Sequence, residues 1–312
     1  MDIKSQSAME YLMTYGWAIL IIAIVLGTLY QLGVFTSASL TQRQTPGSCE
    51  VFKTATGASS LAGLCQGELP QYVATMTGSG SMTLSSLSGS GFTYSGSDQP
   101  VTITAWVNPS KAANMTLVGQ NTYNSGSNFL LYLCTPGVSI VGVPPPAPMS
   151  LCASFVGWNF ADTQPIDPNV WTFVAIVHGS NPSCPQGDLF YVNGVAGRCT
   201  NDGGGFYSYG SNPALVIGGS FYDFFVTKPS PIPAFSGMLA DVQLYNTTLS
   251  SSEVQALYNG GIGAPPVRPT NIVGWWPLNQ NSNDYSGNLN NPQTSSVSYT
   301  SFWTNGYQGR TS

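Results

Sequence analysis

The residue types that perform chemistry are few in this chain, and their spacing narrows the choice further. Four glutamates (Glu10, Glu50, Glu68 and Glu253), a single histidine (His178) and six cysteines stand in 312 residues. Glycoside cleavage with retention would need two carboxylates about 5 Å apart. No glutamate lies in an ExD or ExDxxE arrangement that would set such a pair on one strand, and Glu253 reads as part of a helix cap. His178 follows a strand and precedes Gly179, the setting of a loop-edge residue rather than a general base. One imidazole cannot build a multi-histidine zinc site. The chain is therefore read as a non-enzyme. No cysteine pair has CxxC spacing, and an even count in an exported chain favours disulfides over metal or redox chemistry. Six cysteines permit 15 pairings. The simplest is sequential, Cys49–Cys65, Cys134–Cys152 and Cys184–Cys199, each bridge contributing about 3 kcal/mol in the chain-entropy model.

The surface that carries these residues is neutral. Lys and Arg number 8, Asp and Glu 13, and the formal net charge is −5. Charged residues make up 7%, against roughly 25% in ordinary globular chains. A phosphate-binding face needs clustered Lys and Arg, so nucleic acid is excluded as a partner. At 42% hydrophobic, with 12% aromatic, the chain has the composition of a folded protein rather than a disordered one. Ser, Thr, Asn, Gln and Gly must coat it, which points outside the cell. The sequons Asn114-Met115-Thr116 and Asn246-Thr247-Thr248 are expected at the surface, where they could carry glycans.

Periodicity supplies the elements. Val101–Val107, Phe129–Leu133, Trp171–Val177, Leu215–Ile217 and Met238–Tyr245 alternate as half-buried strands. Leu189–Val192 runs into Asn193-Gly194, a hairpin turn. Ser250–Glu253 forms a capping box, after which Val254, Leu257 and Tyr258 share a helix face that Gly260 closes. Residues 41–91 are Ser/Thr/Gly-rich and read as a connecting segment of short strands and turns joined to a head over residues 92–312. Many strands and one short helix predict two packed antiparallel sheets. Loop aromatics (Phe206, Tyr207, Tyr209, Phe221, Tyr222, Phe224 and Phe225) could stack on sugar rings or serve as core and interface residues.

Ahead of this β-rich body lies a long hydrophobic helix. No charge occurs from Tyr11 to Gln42, and the apolar run Tyr11–Phe35 would be roughly 37 Å long as a helix, enough to span a bilayer. Lys4 on the short side puts the N-terminus in the cytoplasm and the head outside. Glu10 abuts the apolar run, where it either sits at headgroup level or pairs with a cation in an assembly.

The string Lys4-Ser5-Gln6-Ser7-Ala8-Met9-Glu10-Tyr11-Leu12 resembles the class III signal peptide of archaeal type IV pilins and archaellins. The resemblance implies a leader over residues 1–5, cut between Ser5 and Gln6 by a prepilin peptidase. Gly or Ala usually precedes the cut in that family, so Ser5 is a departure. It also implies a filament-forming helix over residues 6–40. Glu10, the fifth mature residue, would neutralise the new amine of Gln6 on a neighbouring subunit. Partners are then copies of the chain, the pilus assembly machinery, and the membrane before assembly. The rival is a single-pass anchored lectin or receptor head that does not polymerise.

The body is similar to laminin G-like domains of the concanavalin-like jelly roll. VTITAWVNPS, WTFVAIVHGS, GDLFYVNGVAG, LVIGGSF and the segment from Phe235 through the helix carry the likeness. The element around Trp275, Trp276, Asp284, Ser286, Gly287 and Asn288 normally opens such a domain, and here it comes last. This implies a circular permutation, with the last strands placed beside the strand that starts near Phe92, or strands that complete a neighbouring subunit. The resemblance further implies a glycan or cell-surface ligand, and a calcium ion held by Asp241, Asp284 and Asn288. The plainer reading of these three is a tight Asn/Gly turn capped by Asp241.

Overall fold

The computed structural model describes residues 15–26, 28, 49–54, 59–63, 65, 70–89, 99–122, 126–138, 144–155, 158–179, 182–185, 187–200, 214–222 and 231–301. Ser5, Gln6 and Glu10 lie outside these residues, as do Phe92, Phe206, Tyr207, Tyr209, Phe224, Phe225 and the side chain of Tyr222. The chain divides into two compact units, Met1–Thr45 and Pro46–Ser312.

In the first unit residues 15–26 are helical. Every residue of this helix is apolar, and every one is exposed, including Trp17, Ile19 and Ile22. Among the described residues no helix is long and apolar enough to cross a membrane.

The second unit is built of antiparallel strands. The segment read as a connector supplies three of them: β1 (Glu50–Lys53), β2 (Ser59–Ala62) and β3 (Tyr72–Leu84). There follow β4 (Val101–Pro109), β5 (Met115–Thr122), β6 (Gly126–Cys134), β7 (Ser150–Phe155), β8 (Trp158–Pro165) and β9 (Thr172–His178). Next come β10 (Asp188–Val192), β11 (Val195–Thr200), β12 (Ala214–Ile217), β13 (Phe221–Tyr222), β14 (Pro231–Ile232) and β15 (Ser236–Tyr245). The helix Ser251–Gly260, β16 (Ile272–Trp276) and β17 (Gln293–Ser301) complete the described order.

The main ladder runs β11-β10-β9-β4-β15-β3-β12-β5-β6-β7-β8. β3 is the pivot, because its first half pairs with β15 and its last residues pair with β12. The sheet thereby folds over on itself into a sandwich. Val101, Ile103, Ala105 and Val107 of β4 meet Leu131, Leu133, Leu151 and Ile217 from the opposite layer in one buried core. The two ends of the ladder come together without a strand pair. The buried Asp162 of β8 accepts the Arg198 N–H of β11 (2.8 Å), and the Arg198 guanidinium donates to the Ala161 carbonyl (3.2 Å). These bonds occupy backbone groups that a sheet edge would otherwise leave open.

All nine residues of β4 are buried, so alternation there sorts two buried faces rather than a wet face and a dry one. On its outer side Trp106 packs beside Phe173 and Tyr258, under the helix residues Val254 and Leu257. The capping box forms: the Ser250 side chain accepts from the Glu253 N–H while Glu253 Oε2 accepts from the Ser250 N–H. The helix ends one residue later than expected, at Gly261 with φ 77°. Asn193 (φ 50°) and Gly194 (φ 74°) make the turn between β10 and β11, both left-handed as a type I′ hairpin requires. All six cysteines pair, as Cys49–Cys65, Cys134–Cys152 and Cys184–Cys199.

The last strands pair within the chain. β16 joins the second half of β15, and β17 runs along β3. They do not lie beside β4, and the strand expected to start near Phe92 falls outside the described residues.

Candidate functional site

The turn after β16 gathers the residues whose types suggested a cation. Asp284 is buried, and both its oxygens are taken by N–H or O–H donors. Oδ1 accepts from the Trp275 and Ser286 N–H groups (2.9 and 2.8 Å). Oδ2 accepts from the Ser286 hydroxyl and the Asn290 N–H (2.7 and 2.8 Å). Asn288 spends its amide nitrogen on the Ile272 and Val273 carbonyls (3.0 and 2.8 Å). Its Oδ1 accepts from the ammonium of Lys53 (2.9 Å), which also donates to the Ile272 carbonyl (3.0 Å). Gly287, at φ 80°, packs so closely on β1 that an added Cβ would lie 2.4 Å from the Val51 carbonyl oxygen. β1 is held there by the Val51 N–H to Tyr285 carbonyl bond (2.7 Å).

Asp241 answers to different donors. Its Oδ1 accepts from the Trp275 indole N–H (2.8 Å) and the Gln243 amide (3.0 Å), and its Oδ2 from the Gly263 N–H (3.3 Å). Burial pushes its carboxyl up to about 6, with those donors pulling the other way. Trp275 thus separates the two acids, binding Asp284 with its backbone and Asp241 with its ring. Burial lowers the Lys53 ammonium from its ordinary value, partly offset by the charge of Asp284.

This arrangement does not fit calcium. The ion needs six to eight free oxygens converging on one point. Here the oxygens are committed to N–H and O–H groups, and a lysine ammonium already occupies the cationic place beside Asn288. Among the described residues no cluster of three His, Cys, Asp or Glu side chains could hold a metal. Lys53 gave no local signal in the sequence, because its contacts lie 219 and 235 residues away.

His178 is not at a loop edge. It is the last residue of β9, and it is buried. Its Nδ1 lies 2.6 Å from Asp188 Oδ1, directly across the β9–β10 pair, and its ring stacks on Phe155 at 4.1 Å. A dyad sealed in this way is a cross-strand pair rather than an exposed base. Glu253 is committed to its cap and to Arg268 (3.0 Å from Oε2), an ion pair that is partly exposed. Burial alone would raise the Glu253 carboxyl, but the bonds from Arg268 and Ser250 outweigh it and hold it below its ordinary value.

The sequons are less open than expected. Asn114 is half-buried with its Oδ1 accepting from the Thr135 N–H (2.8 Å), and Thr116 is fully buried. Asn246 is half-buried, and its side-chain oxygen accepts from Asn271 (3.1 Å). Phe221 is buried among Leu130, Tyr132 and Cys134, so it is a core residue and not a sugar platform.

Two grooves stand out among the described residues, the first walled mainly by polar atoms and the second mainly by apolar ones. One of about 290 Å³ lies between the end of β3 and the Leu289–Gln293 segment. The other, about 340 Å³, lies where β3, β4 and β15 meet. No charged side chain lines either groove.

Residues 77–255, more than half of the chain, match the family model described as the concanavalin A-like lectin/glucanases superfamily. No curated protein matches the sequence. Among solved structures, a heptameric SAP-like pentraxin from Limulus polyphemus aligns over 74% of this chain and 95% of its own, at 12% identity and TM-score 0.49. A putative carbohydrate binding protein from Bacteroides ovatus aligns over 74% of this chain at 16% identity and TM-score 0.50. The alignment spans 60% of that protein, less than two thirds of its length. The CBM40 of a Ruminococcus gnavus IT-sialidase aligns over 60% of this chain and 96% of its own, at 13% identity and TM-score 0.38. At such identities the likeness concerns the fold.

Proposed function

Because the chain belongs to the concanavalin A-like lectin/glucanases superfamily, we propose that its sandwich binds glycans at the cell surface, and that its apolar N-terminal helix packs against copies of itself in a type IV pilus-like filament. The observation that carries the reading is the helix over residues 15–26, apolar and exposed around its whole circumference. Such a surface is not stable in water and marks an interaction site. Lipid and sibling helices are equally apolar, so the same helix can be held in a membrane and then in a filament core. The leader cut between Ser5 and Gln6, the pairing of Glu10 with a neighbour's Gln6 amine, and prepilin peptidase as processing partner belong to this proposal. The exposed helix also suits the rival reading, a single-pass anchored head that stays in the bilayer.

Binding is favoured over cleavage because the buried acids among the described residues are committed to structural hydrogen bonds. Asp162 closes the sandwich, Asp241 and Asp284 hold Trp275, and Glu253 caps a helix. We also read the Trp275–Asn288 element as the family's opening element moved to the C-terminal end. The Val51–Tyr285 bond supports this by joining the first strand of the unit to that element. The deciding experiment is N-terminal sequencing of protein recovered from cells, combined with electron microscopy of sheared surface material. Mature chains that begin at Gln6 and lie in filaments are expected. Chains that retain Met1–Ser5 and never form fibres would leave the anchored head.

A further inference from the structure

The groove at the junction of β3, β4 and β15 lies on the outer side of the sheet. Val107 and Leu239 point into the core, whereas Trp106 and Met238 pack on the outer layer, and Asn108 shares the parity of Trp106. Its walls include Thr75, Thr77, Asn108, Ser110, Asn169 and Met238, all uncharged, around about 340 Å³. Asn108 is the unusual member. It is only 4% exposed, yet its side-chain amide makes no hydrogen bond with any described residue. It lines the groove, where an amide can still exchange hydrogen bonds with a ligand.

Gly237 lines the groove beside Asn108 without a side chain of its own. Gly237 sits at φ 143°, and an added Cβ would lie 2.2 Å from the Asn108 carbonyl oxygen, so no side chain can stand at that point of the groove floor. Ser110 and Ser236 pair their hydroxyls at 2.8 Å, and Thr75 pairs with Thr300 of β17 at 2.6 Å. The groove therefore presents one uncommitted amide among hydroxyls already oriented by one another, with the half-buried Met238 as an apolar contact.

We propose that this groove is a subsite for one ring of a neutral sugar, with the Asn108 amide donating to one ring hydroxyl and accepting from its neighbour. An amide offers a donor and an acceptor side by side, which matches a vicinal diol. The absence of charge from the walls disfavours sialylated, sulfated or uronic sugars, whose anions would lose water without gaining a cation. The volume is near the lower end for small-molecule pockets, which suits a single ring with the rest of the chain outside. The proposal rests on the glycan-binding reading above and names where that binding takes place.

The test uses the full chain in detergent micelles, probed with arrayed glucose, mannose and galactose oligosaccharides beside sialylated and sulfated ones, then titrated calorimetrically with the best ligand. Asn108→Leu should weaken binding to a neutral oligosaccharide by tenfold or more while the melting temperature changes little, because the amide ties no described residue in place. Thr77→Val, at an exposed position, should weaken binding severalfold and serves if the first variant does not fold. Wild-type binding that neither variant changes overturns the groove and leaves the glycan reading standing. Preference for anionic sugars overturns the groove as well. Failure of the wild type to bind any arrayed sugar overturns both.

Discussion

Asp241 is the buried group whose ionisation should be visible in the stability of the whole domain. Its carboxyl lies at 3% exposure beneath Trp275 and Gln243, and burial raises it from 3.8 to about 6. The folded state therefore holds the proton more tightly than the unfolded chain does. Between about pH 4 and pH 6 the native protein carries the extra proton, so this group's contribution is fully present below the unfolded value and lost as pH rises through about 6. The difference of about 2 pH units corresponds to about 3 kcal/mol at 1.36 kcal/mol per unit. For a domain of this size that is roughly 6–12 °C in melting temperature. Melting curves from pH 4 to pH 8 should show this loss in the wild type and not in Asp241→Asn. Comparing slopes rather than absolute values is necessary, since the new amide would face the Gly263 N–H donor and cost stability at every pH. Carbon-detected titration of the Asp241 carboxyl gives a direct reading, with a midpoint expected near 6. Parallel pH profiles for the two proteins, or a midpoint near 3.8, would refute the reasoning.

Other expectations follow from the same packing. Lys53→Met removes two hydrogen bonds from an ammonium and should cost about 2–4 kcal/mol in urea unfolding, loosening the Cys49–Cys65 hairpin from the Tyr285 turn. The melting temperature of the wild type should be the same in EDTA and in millimolar calcium; a rise of several degrees with calcium would overturn the account of that turn. Gly197→Ala should destabilise by several kcal/mol in chemical denaturation, because its Cβ would lie 2.2 Å from Asp162 Oδ1 at the closure between β8 and β11. The double change Cys184→Ala with Cys199→Ala opens a loop of 15 residues and should cost about 3 kcal/mol by the same measurement. Glu10→Gln should abolish filaments seen by electron microscopy while leaving membrane insertion intact, and filaments of normal yield would remove the proposed role of that acid.

Much of the fold was legible because it is written in short-range pattern. Alternation located β4, β6, β9, β10, β12 and β15. The Asn193-Gly194 pair fixed a hairpin, and Ser250 with Glu253 fixed a helix start. β3 was read as part of a connector because Ser, Thr and Gly dominate it. Its Ala74, Met76, Met82 and Leu84 nonetheless alternate into the core, and packing overrides composition.

The candidate site was far less legible. Asp, Ser, Gly and Asn at these spacings can build either a cation loop or a hydrogen-bonded turn, and the choice depends on which donors arrive from elsewhere. The Trp275 N–H groups and the Lys53 ammonium decide it, and Lys53 comes from a hairpin more than two hundred residues earlier. His178 meets Asp188 only through the register of β9 on β10, and the Asn108 groove exists only where β3, β4 and β15 join. By itself the sequence determined six of the strands, one hairpin turn and one helix start, since these depend on neighbours within a few residues. The tertiary structure alone decided which polar groups face one another, because register between distant strands leaves no periodic trace along the chain.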